Sequence, residues 1–349
     1  MAHFLVIRLS AIGDVAMTIP VVYSAARTNP QHRFTVLTQA FLMPLFMNRP
    51  ENVEVVGINT KTTEKSLGGL LRFCSVLLHT PYDAVLDLHH VLRTMIISNL
   101  FRLKGTKVFV VDKARFERHQ LIQESEWPKK PLRPVVKRYE DVFRRAGLAY
   151  QESFTSLFPE KEPLESARNA LLTKLSLDGA GKKWWIGIAP FAKHQGKIYP
   201  PERMEQVIAS LAVRPDTQVF LFGGRGQEEA ILQRWATPYA NVVCVAGRFR
   251  LDQELQLIHQ LDLLICMDSA NMHFASLVGT RVLSIWGATH PYAGFYGYGQ
   301  AIDYAVQLPL RCRPCSIYGQ KPCRRGDWAC MTQLPPADII NKVEYILGN

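Results

Sequence analysis

Four short segments of this 349-residue chain carry side chains whose types and spacing could do chemistry. The first is Arg8-Leu9-Ser10-Ala11-Ile12-Gly13-Asp14, where an apolar run gives way to a helix-like stretch. A dinucleotide loop of the G-x-G-x-x-G type needs several glycines to let backbone approach a pyrophosphate, and Gly13 stands alone. The carboxylate of Asp14 is then the group of interest. It reads either as a general base or as a first-turn acid favoured by the helix dipole, with Ser10 and Gly13 lining the same turn. The second segment, Ala189 to Pro200, sets Lys193 and Lys197 around Gly196. Ammonium groups there suit the charge of a diphosphate leaving group, and solvated loop lysines are the alternative.

The third, Phe222-Gly223-Gly224-Arg225-Gly226-Gln227-Glu228-Glu229, is a glycine-rich turn entering a helix, where the glycines could serve only the turn itself. In the fourth, Cys266-Met267-Asp268-Ser269-Ala270-Asn271-Met272-His273, a strand end offers Asp268 and Ser269. The unpaired N–H groups of the helix behind them can meet an anion. His273 fits either a helix interior or a site-facing turn. A separate cluster reads Cys312-x2-Cys315-x7-Cys323-x6-Cys330. It matches a four-thiolate structural zinc or iron site. The alternative is a loop of reduced thiols or one labile disulfide, since the second pair lacks zinc-ribbon spacing.

The elements needed to hold these segments alternate as in an α/β protein. Strands are expected at Phe4 to Arg8, Arg33 to Thr38, Val53 to Gly57, Ala84 to Leu88 and Lys107 to Val111, with helices such as Val15 to Arg27 and Leu92 to Leu103 between them. A change of character follows Pro159 and Pro163: a helix over Leu164 to Leu175, then a flexible polar joint, Leu177 to Lys183. The rhythm restarts with strands at Trp184 to Ala189, Gln218 to Phe222, Val242 to Ala246, Leu263 to Cys266 and Val282 to Trp286. The expected organisation is a Rossmann-like domain over 1–165, a second over 170–334 containing a Cys-rich loop at 311–331, and a last helix in 335–349 that packs back. Each domain would be a parallel, doubly wound sheet with its key loop after its first strand.

Composition is that of a folded globular chain: 48% apolar and 20% charged residues exclude disorder and low-complexity architectures. The start at Met1 runs directly into a strand and lacks the pattern of a signal peptide, and no apolar run approaches the roughly 20 residues of a membrane span. A cytoplasmic protein, peripheral to a membrane at most, is expected. With 41 Lys and Arg against 30 Asp and Glu, the net charge of +11 favours an anionic partner. Between Arg102 and Arg145 thirteen basic residues face six acidic ones. A nucleic-acid-binding protein would share that charge, but no recognition-helix, RRM-like or finger pattern is present.

In their order along the chain, the motifs resemble glycosyltransferase family 9, the heptosyltransferases of lipopolysaccharide core assembly. The matching residues are Ser10-Ala11-Ile12-Gly13-Asp14 with Pro20, Asp268-Ser269-Ala270-Asn271-Met272-His273, and Gly287-Ala288-Thr289-His290-Pro291. The resemblance implies a GT-B architecture, two Rossmann-like domains with parallel sheets facing across a cleft, the first for acceptor and the second for nucleotide sugar. It also implies an inverting transfer with Asp14 as base, Lys197 on the donor diphosphate and Asp268 on sugar hydroxyls. Ser269, Asn271, Met272 and His273 would meet phosphate, with Lys193 and Gly223 beside the donor and Glu228, or Glu229, at its ribose. The implied donor is ADP-heptose and the acceptor an anionic glycolipid at the inner membrane face, engaged by basic residues that include Lys61, Lys65 and Arg93. No catalytic metal or cofactor is implied. Ala270 departs from the family, standing where many relatives have glycine. Another GT-B activity, a different sugar donor or a sugar-nucleotide epimerase, is the nearest alternative.

Overall fold

The computed structural model describes residues 1–123, 129–158, 164–175 and 182–348. Pro159, Pro163 and residues 177–181 of the expected joint lie outside them. The chain divides into two units: Met1–Lys113 with Arg133–Leu157, and Ala114–Leu132 with Phe158–Asn349. The segment Ala114–Leu132, which a linear division would give to the first half, belongs to the second unit. Its Leu121 and Ile122 bury against Ala293 and Ile317, and the Leu132 amide donates to the Tyr292 carbonyl at 2.8 Å.

Unit 1 is built on five parallel strands, β1 (His3–Ile7), β2 (Arg33–Gln39), β3 (Val53–Ile58), β4 (Ala84–Asp87) and β5 (Lys107–Val110), in the order β3-β2-β1-β4-β5. Unit 2 has six, β6 (Trp184–Ala189), β7 (Thr217–Leu221), β8 (Val242–Cys244), β9 (Leu263–Met267), β10 (Val282–Ile285) and β11 (Ala305–Val306), in the order β11-β10-β9-β6-β7-β8. Central strands such as Leu-Leu-Ile-Cys-Met in β9 are apolar without alternation because helices cover both faces of a parallel sheet. In both sheets the strand order reverses beside the first strand: β1 lies between β2 and β4, and β6 between β7 and β9. The loops leaving the two strands at such a point diverge to opposite faces and open a crevice at their carboxyl ends.

One expected helix is two. Ile12–Ala16 and Thr18–Thr28 meet at Met17, because Pro20 has no N–H to bond the carbonyl four residues back and fits only in a first turn. The closing helix, Pro336–Gly348, packs on unit 2: Ile339, Val343, Ile346 and Leu347 join a core that includes Met204, Val207, Ile208 and Leu211 of the helix Pro201–Ala212.

Both units tie the same corner with an asparagine. Asn52, just before β3, gives its amide N–H groups to the carbonyls of Ala26, Asn29 and His32 at 3.0, 3.3 and 2.9 Å, closing the turn that leads into β2. Asn241, just before β8, does the same for Ala212, Arg214 and Thr217 at 3.0, 3.4 and 3.0 Å, closing the turn into β7. Each side chain links a carbonyl in the last turn of the ended helix, Ala26 or Ala212, to two carbonyls of the turn that follows it. Asn241→Ala should therefore lower unfolding free energy by about 1–3 kcal/mol in urea titration. A loss within about 0.5 kcal/mol, the range of ordinary surface changes, would remove Asn241 from this role.

Candidate functional site

In unit 1 β1 and β4 lie side by side at the strand-order reversal, and the first residues that leave them are in contact. Arg8, one residue beyond β1, donates to the Leu88 carbonyl at 2.6 Å and ion-pairs with Asp14 Oδ2 at 2.8 Å. The same Oδ2 accepts the Ala11 amide at 3.2 Å, which makes this candidate base a helix cap. Its carboxylate remains 20% exposed, and Oδ1 makes no hydrogen bond among the described residues. Gly13 lies in the same short helix.

The strand β4 supplies residues that the motif reading did not single out. Asp87 is fully committed: Oδ1 accepts the His89 and His90 amides at 2.9 and 2.7 Å, and Oδ2 accepts the Ser98 hydroxyl at 3.2 Å. His89 Nδ1 accepts the Leu9 amide, so its Nε2–H faces Ser10 Oγ, each at 3.4 Å. Burial, and then the nearby charges of Arg8 and Lys113, push the His89 imidazole down to about 3, so it is a neutral prop for the turn. The signal was Asp87-Leu88-His89-His90 at the end of a buried strand, legible only once β4 is known to lie beside β1.

In unit 2 the matching reversal brings Lys197, after β6, to Asp268, at the end of β9, with Nζ to Oδ2 at 2.7 Å. Both are well shielded, at 15% and 8% side-chain exposure. Ser269 starts the helix Ala270–Leu277, and its buried Oγ has no hydrogen-bond partner among the described residues; nor has Thr289 Oγ1, in the loop after β10. Unpartnered hydroxyls where helix N–H groups are also free suit the oxygens of an anionic ligand.

The Cys-rich loop shapes the bed of Lys197. Gly319, at φ +80°, lies under the lysine stem, and a Cβ there would come within 2.7 Å of Lys197 Cγ. Gly196 is pressed equally close to Ala288 and Trp328. Arg313 anchors this loop from inside, 1% exposed, with its guanidinium donating to the carbonyls of Gly287, Trp286, Thr289 and Leu308 and to Gln307 Oε1. Burial lowers its pKa to about 10, which leaves it charged.

The expected zinc or iron centre is not borne out. Cys312, Cys315, Cys323 and Cys330 line one pocket with Arg324, Arg325 and Trp328, but no group of three or more His, Cys, Asp or Glu among the described residues is placed to hold a metal ion. All four are free thiols, and burial raises Cys315 and takes Cys330 up to about 11. Other expected residues have local duties. Glu228 Oε2 accepts the Gly224 amide at 2.7 Å, over Gly223, and Glu229 Oε2 accepts the Gly226 amide at 3.2 Å. Met272 and His273 are buried in the helix, whereas Lys193 is exposed and Asn271 half-buried. The basic stretch is largely consumed: Arg133, Lys137 and Arg144 pair with Asp141, Glu152 and Glu140, Lys129 and Arg138 are buried, and Arg145 holds the Val110 carbonyl. Lys61 and Lys65 stay exposed.

These geometries can be set beside known proteins. Residues 70–321 match the family described as glycosyltransferase family 9 (heptosyltransferase). The chain is 24% identical over 350 residues to lipopolysaccharide heptosyltransferase 3 of Escherichia coli, covering 96% of each protein. Among solved structures it resembles the family 9 glycosyl transferase from Veillonella parvula, with TM-score 0.74, 17% identity and coverage of 99% and 97%. It also resembles E. coli heptosyltransferase WaaC with ADP-2-deoxy-2-fluoro heptose, with TM-score 0.67, 17% identity and coverage of 98% and 99%. The structural likeness carries the fold, the GT-B class that the two parallel-sheet units imply. The family match extends over most of the chain, from the helix before β4 to the Cys-rich loop, and the chain belongs to glycosyltransferase family 9, the heptosyltransferases.

Proposed function

We propose that this enzyme transfers heptose from ADP-heptose to a lipopolysaccharide core acceptor, by a single displacement that inverts the anomeric carbon. The observation that carries this reading is the division of labour between two carboxylates at one strand crossing. Asp87 has both oxygens committed, whereas Asp14 has Oδ2 fixed by Arg8 and Ala11 and Oδ1 open. A base must be held and yet leave one oxygen free for the incoming hydroxyl. In this reading the acceptor hydroxyl gives its proton to Asp14 Oδ1 as its oxygen attacks the anomeric carbon, and ADP departs from the opposite face. Unit 1 therefore binds the acceptor and unit 2 the donor.

The donor side rests on Lys197, Ser269 and the N–H groups that open the helix Ala270–Leu277. Lys197 has three N–H donors, and the bond to Asp268 uses one, so the others can meet the diphosphate as negative charge develops on it. Ser269 Oγ and Thr289 Oγ1 lack partners among the described residues, and phosphate or sugar oxygens would supply them. A heptosyltransferase bound to an ADP-heptose analogue is among the solved structures of this fold, which supports the choice of donor. The acceptor is an anionic glycolipid, and the enzyme works at the cytoplasmic face of the membrane that holds it.

Two substitutions test the halves separately. Asp14→Asn keeps an acceptor for Arg8 and Ala11 but no base, so initial rates should fall by about 10²–10⁴ with ADP affinity unchanged. A variant turning over at the wild-type rate would falsify the base assignment. On the donor side, ADP should raise the melting temperature of the wild-type protein. Lys197→Gln, which retains an N–H for Asp268, should weaken ADP binding about tenfold or more by titration. Equal affinity in the two proteins would take Lys197 off the diphosphate.

A further inference from the structure

Three consecutive residues of the Cys-rich loop, Ile317, Tyr318 and Gly319, have three different neighbours. Ile317 is buried against Leu121 and Ile122 of the helix Arg115–Gln123. Tyr318 receives Arg118 of the same helix: the guanidinium donates to the phenol oxygen at 2.6 Å and lies over two rings, 5.7 Å from the centre of Tyr318 and 5.0 Å from that of Phe295. Gly319 lies under the stem of Lys197, with no room for a side chain. Arg118, Leu121 and Ile122 stand at i, i+3 and i+4, so one face of the helix grips the loop immediately before the glycine.

Arg118 pairs with no carboxylate among the described residues; its guanidinium is given to the phenol and the two rings. A planar cation that donates to one ring's hydroxyl while facing both rings is fixed in direction as well as in position. The buried side of the loop is held separately. The Cys315 and Ser316 amides donate to the Ala288 carbonyl at 3.0 and 3.2 Å, and the Ala288 amide donates to the Gly196 carbonyl at 2.8 Å, next to Lys197. Ser316 Oγ, fully buried, accepts the Gly319 amide at 2.9 Å. Gly319 has no side chain with which to anchor itself, so its place under the lysine depends on these bonds on one side and on Tyr318 on the other.

We propose that Arg118 is a positioning residue for Lys197: by clamping Tyr318 it keeps Gly319 under the lysine stem, and so keeps the ammonium aimed at the donor diphosphate. The inference rests on the donor reading of Lys197 for its effect on a ligand, whereas the clamp on the loop is independent of that reading. Arg118 belongs to the segment Ala114–Leu132, which follows β5 in the chain, so a stretch threaded from the first sheet serves the donor lysine of the second unit.

Two measurements on the full chain separate the clamp from its consequence. Hydrogen exchange at the Gly319 amide, followed without nucleotide, should speed up about tenfold in Arg118→Ala, with a melting temperature within about 2 °C of wild type. ADP titration of that variant should show binding about three to ten times weaker, and Arg118→Lys, which keeps a cation near the rings, should fall in between. Because Arg118 acts through Lys197, adding Arg118→Ala to Lys197→Gln should weaken ADP binding no further. Tyr318→Phe removes the hydrogen-bond acceptor and keeps the ring; it should move both readouts the same way by less, and it serves if Arg118→Ala does not fold. Unchanged exchange at Gly319 in these variants would overturn the proposal. So would losses of ADP affinity that add in the double variant, or an Arg118→Ala protein that binds ADP normally while Lys197→Gln does not. Faster exchange in Arg118→Ala together with normal ADP binding by Lys197→Gln would sink the donor reading instead and leave the clamp standing.

Discussion

The reversal of strand order beside the first strand of each sheet is the constraint on which the site depends. Parallel pairing sends every loop that follows a strand to the carboxyl edge, and the reversal separates two of those loops into a crevice. Charged groups cannot sit at such a buried edge unaccompanied, and in each unit a cation and a carboxylate pair there. Arg8 spans β1 and β4 by holding both Asp14 and the Leu88 carbonyl, and Lys197 spans β6 and β9 by holding Asp268. Both pairs lie at the strand-order reversal but differ in build: Arg8 and Asp14 both follow β1 and the carboxylate keeps an open oxygen, whereas Lys197 follows β6, Asp268 follows β9 and the ammonium keeps open protons. One architectural rule applied twice leaves a carboxylate oxygen open in one unit and ammonium protons open in the other.

The pair in unit 2 needs more support than the pair in unit 1, because a lysine is a flexible stem that must be laid in one direction. Gly319 and Gly196 provide the space, and any side chain at either would collide with Lys197, Ala288 or Trp328. That close approach constrains the course of the Cys-rich loop, which reaches a regular element only at the short helix Ala329–Thr332. Arg313 supplies the fixture: a fully buried guanidinium with its donors distributed over acceptors from two stretches of chain, Trp286 to Thr289 and Gln307 to Leu308. Loop carbonyls buried without donors would be unstable, and the guanidinium satisfies them where a strand ladder cannot. Cys315 and Cys330 are buried beside this fixture, and a metal is not needed to explain why the loop holds its course.

The strands, their parallel arrangement and the placing of Asp14, Lys197, Asp268 and Ser269 at strand ends were legible in the sequence, because buried parallel strands are unbroken apolar runs and their exits are marked by small and polar residues. Adjacency between distant segments was not legible. His89 and Asp87 come to support the turn that carries Asp14 only because β4 lies beside β1, and nothing local distinguishes them from an ordinary strand exit. The segment Ala114–Leu132 was placed by chain proximity with the first half, whereas its apolar pair, Leu121 and Ile122, finds its core in unit 2. The cysteine spacing failed for a related reason. Spacing along the chain limits which thiols can converge, but whether they face one another is decided by the backbone between them, here committed to Arg313 and Lys197.

Net charge illustrates the same difference between counting and placing. The dense basic stretch from Arg102 to Arg145 would dominate any sequence-level picture of an anion-binding surface, yet much of it is spent on ion pairs in and beside the helix Val135–Arg145, on backbone carbonyls and on the interior. Paired charges contribute little to a field beyond a Debye length, about 8 Å at physiological salt. The charge that can act on a distant partner is the sparse set left uncompensated, and on unit 1 Lys61, Lys65 and Arg93 lie at the carboxyl edge, where Asp14 also emerges. A few unpaired cations therefore say more about what unit 1 meets than the thirteen basic residues that first draw the eye.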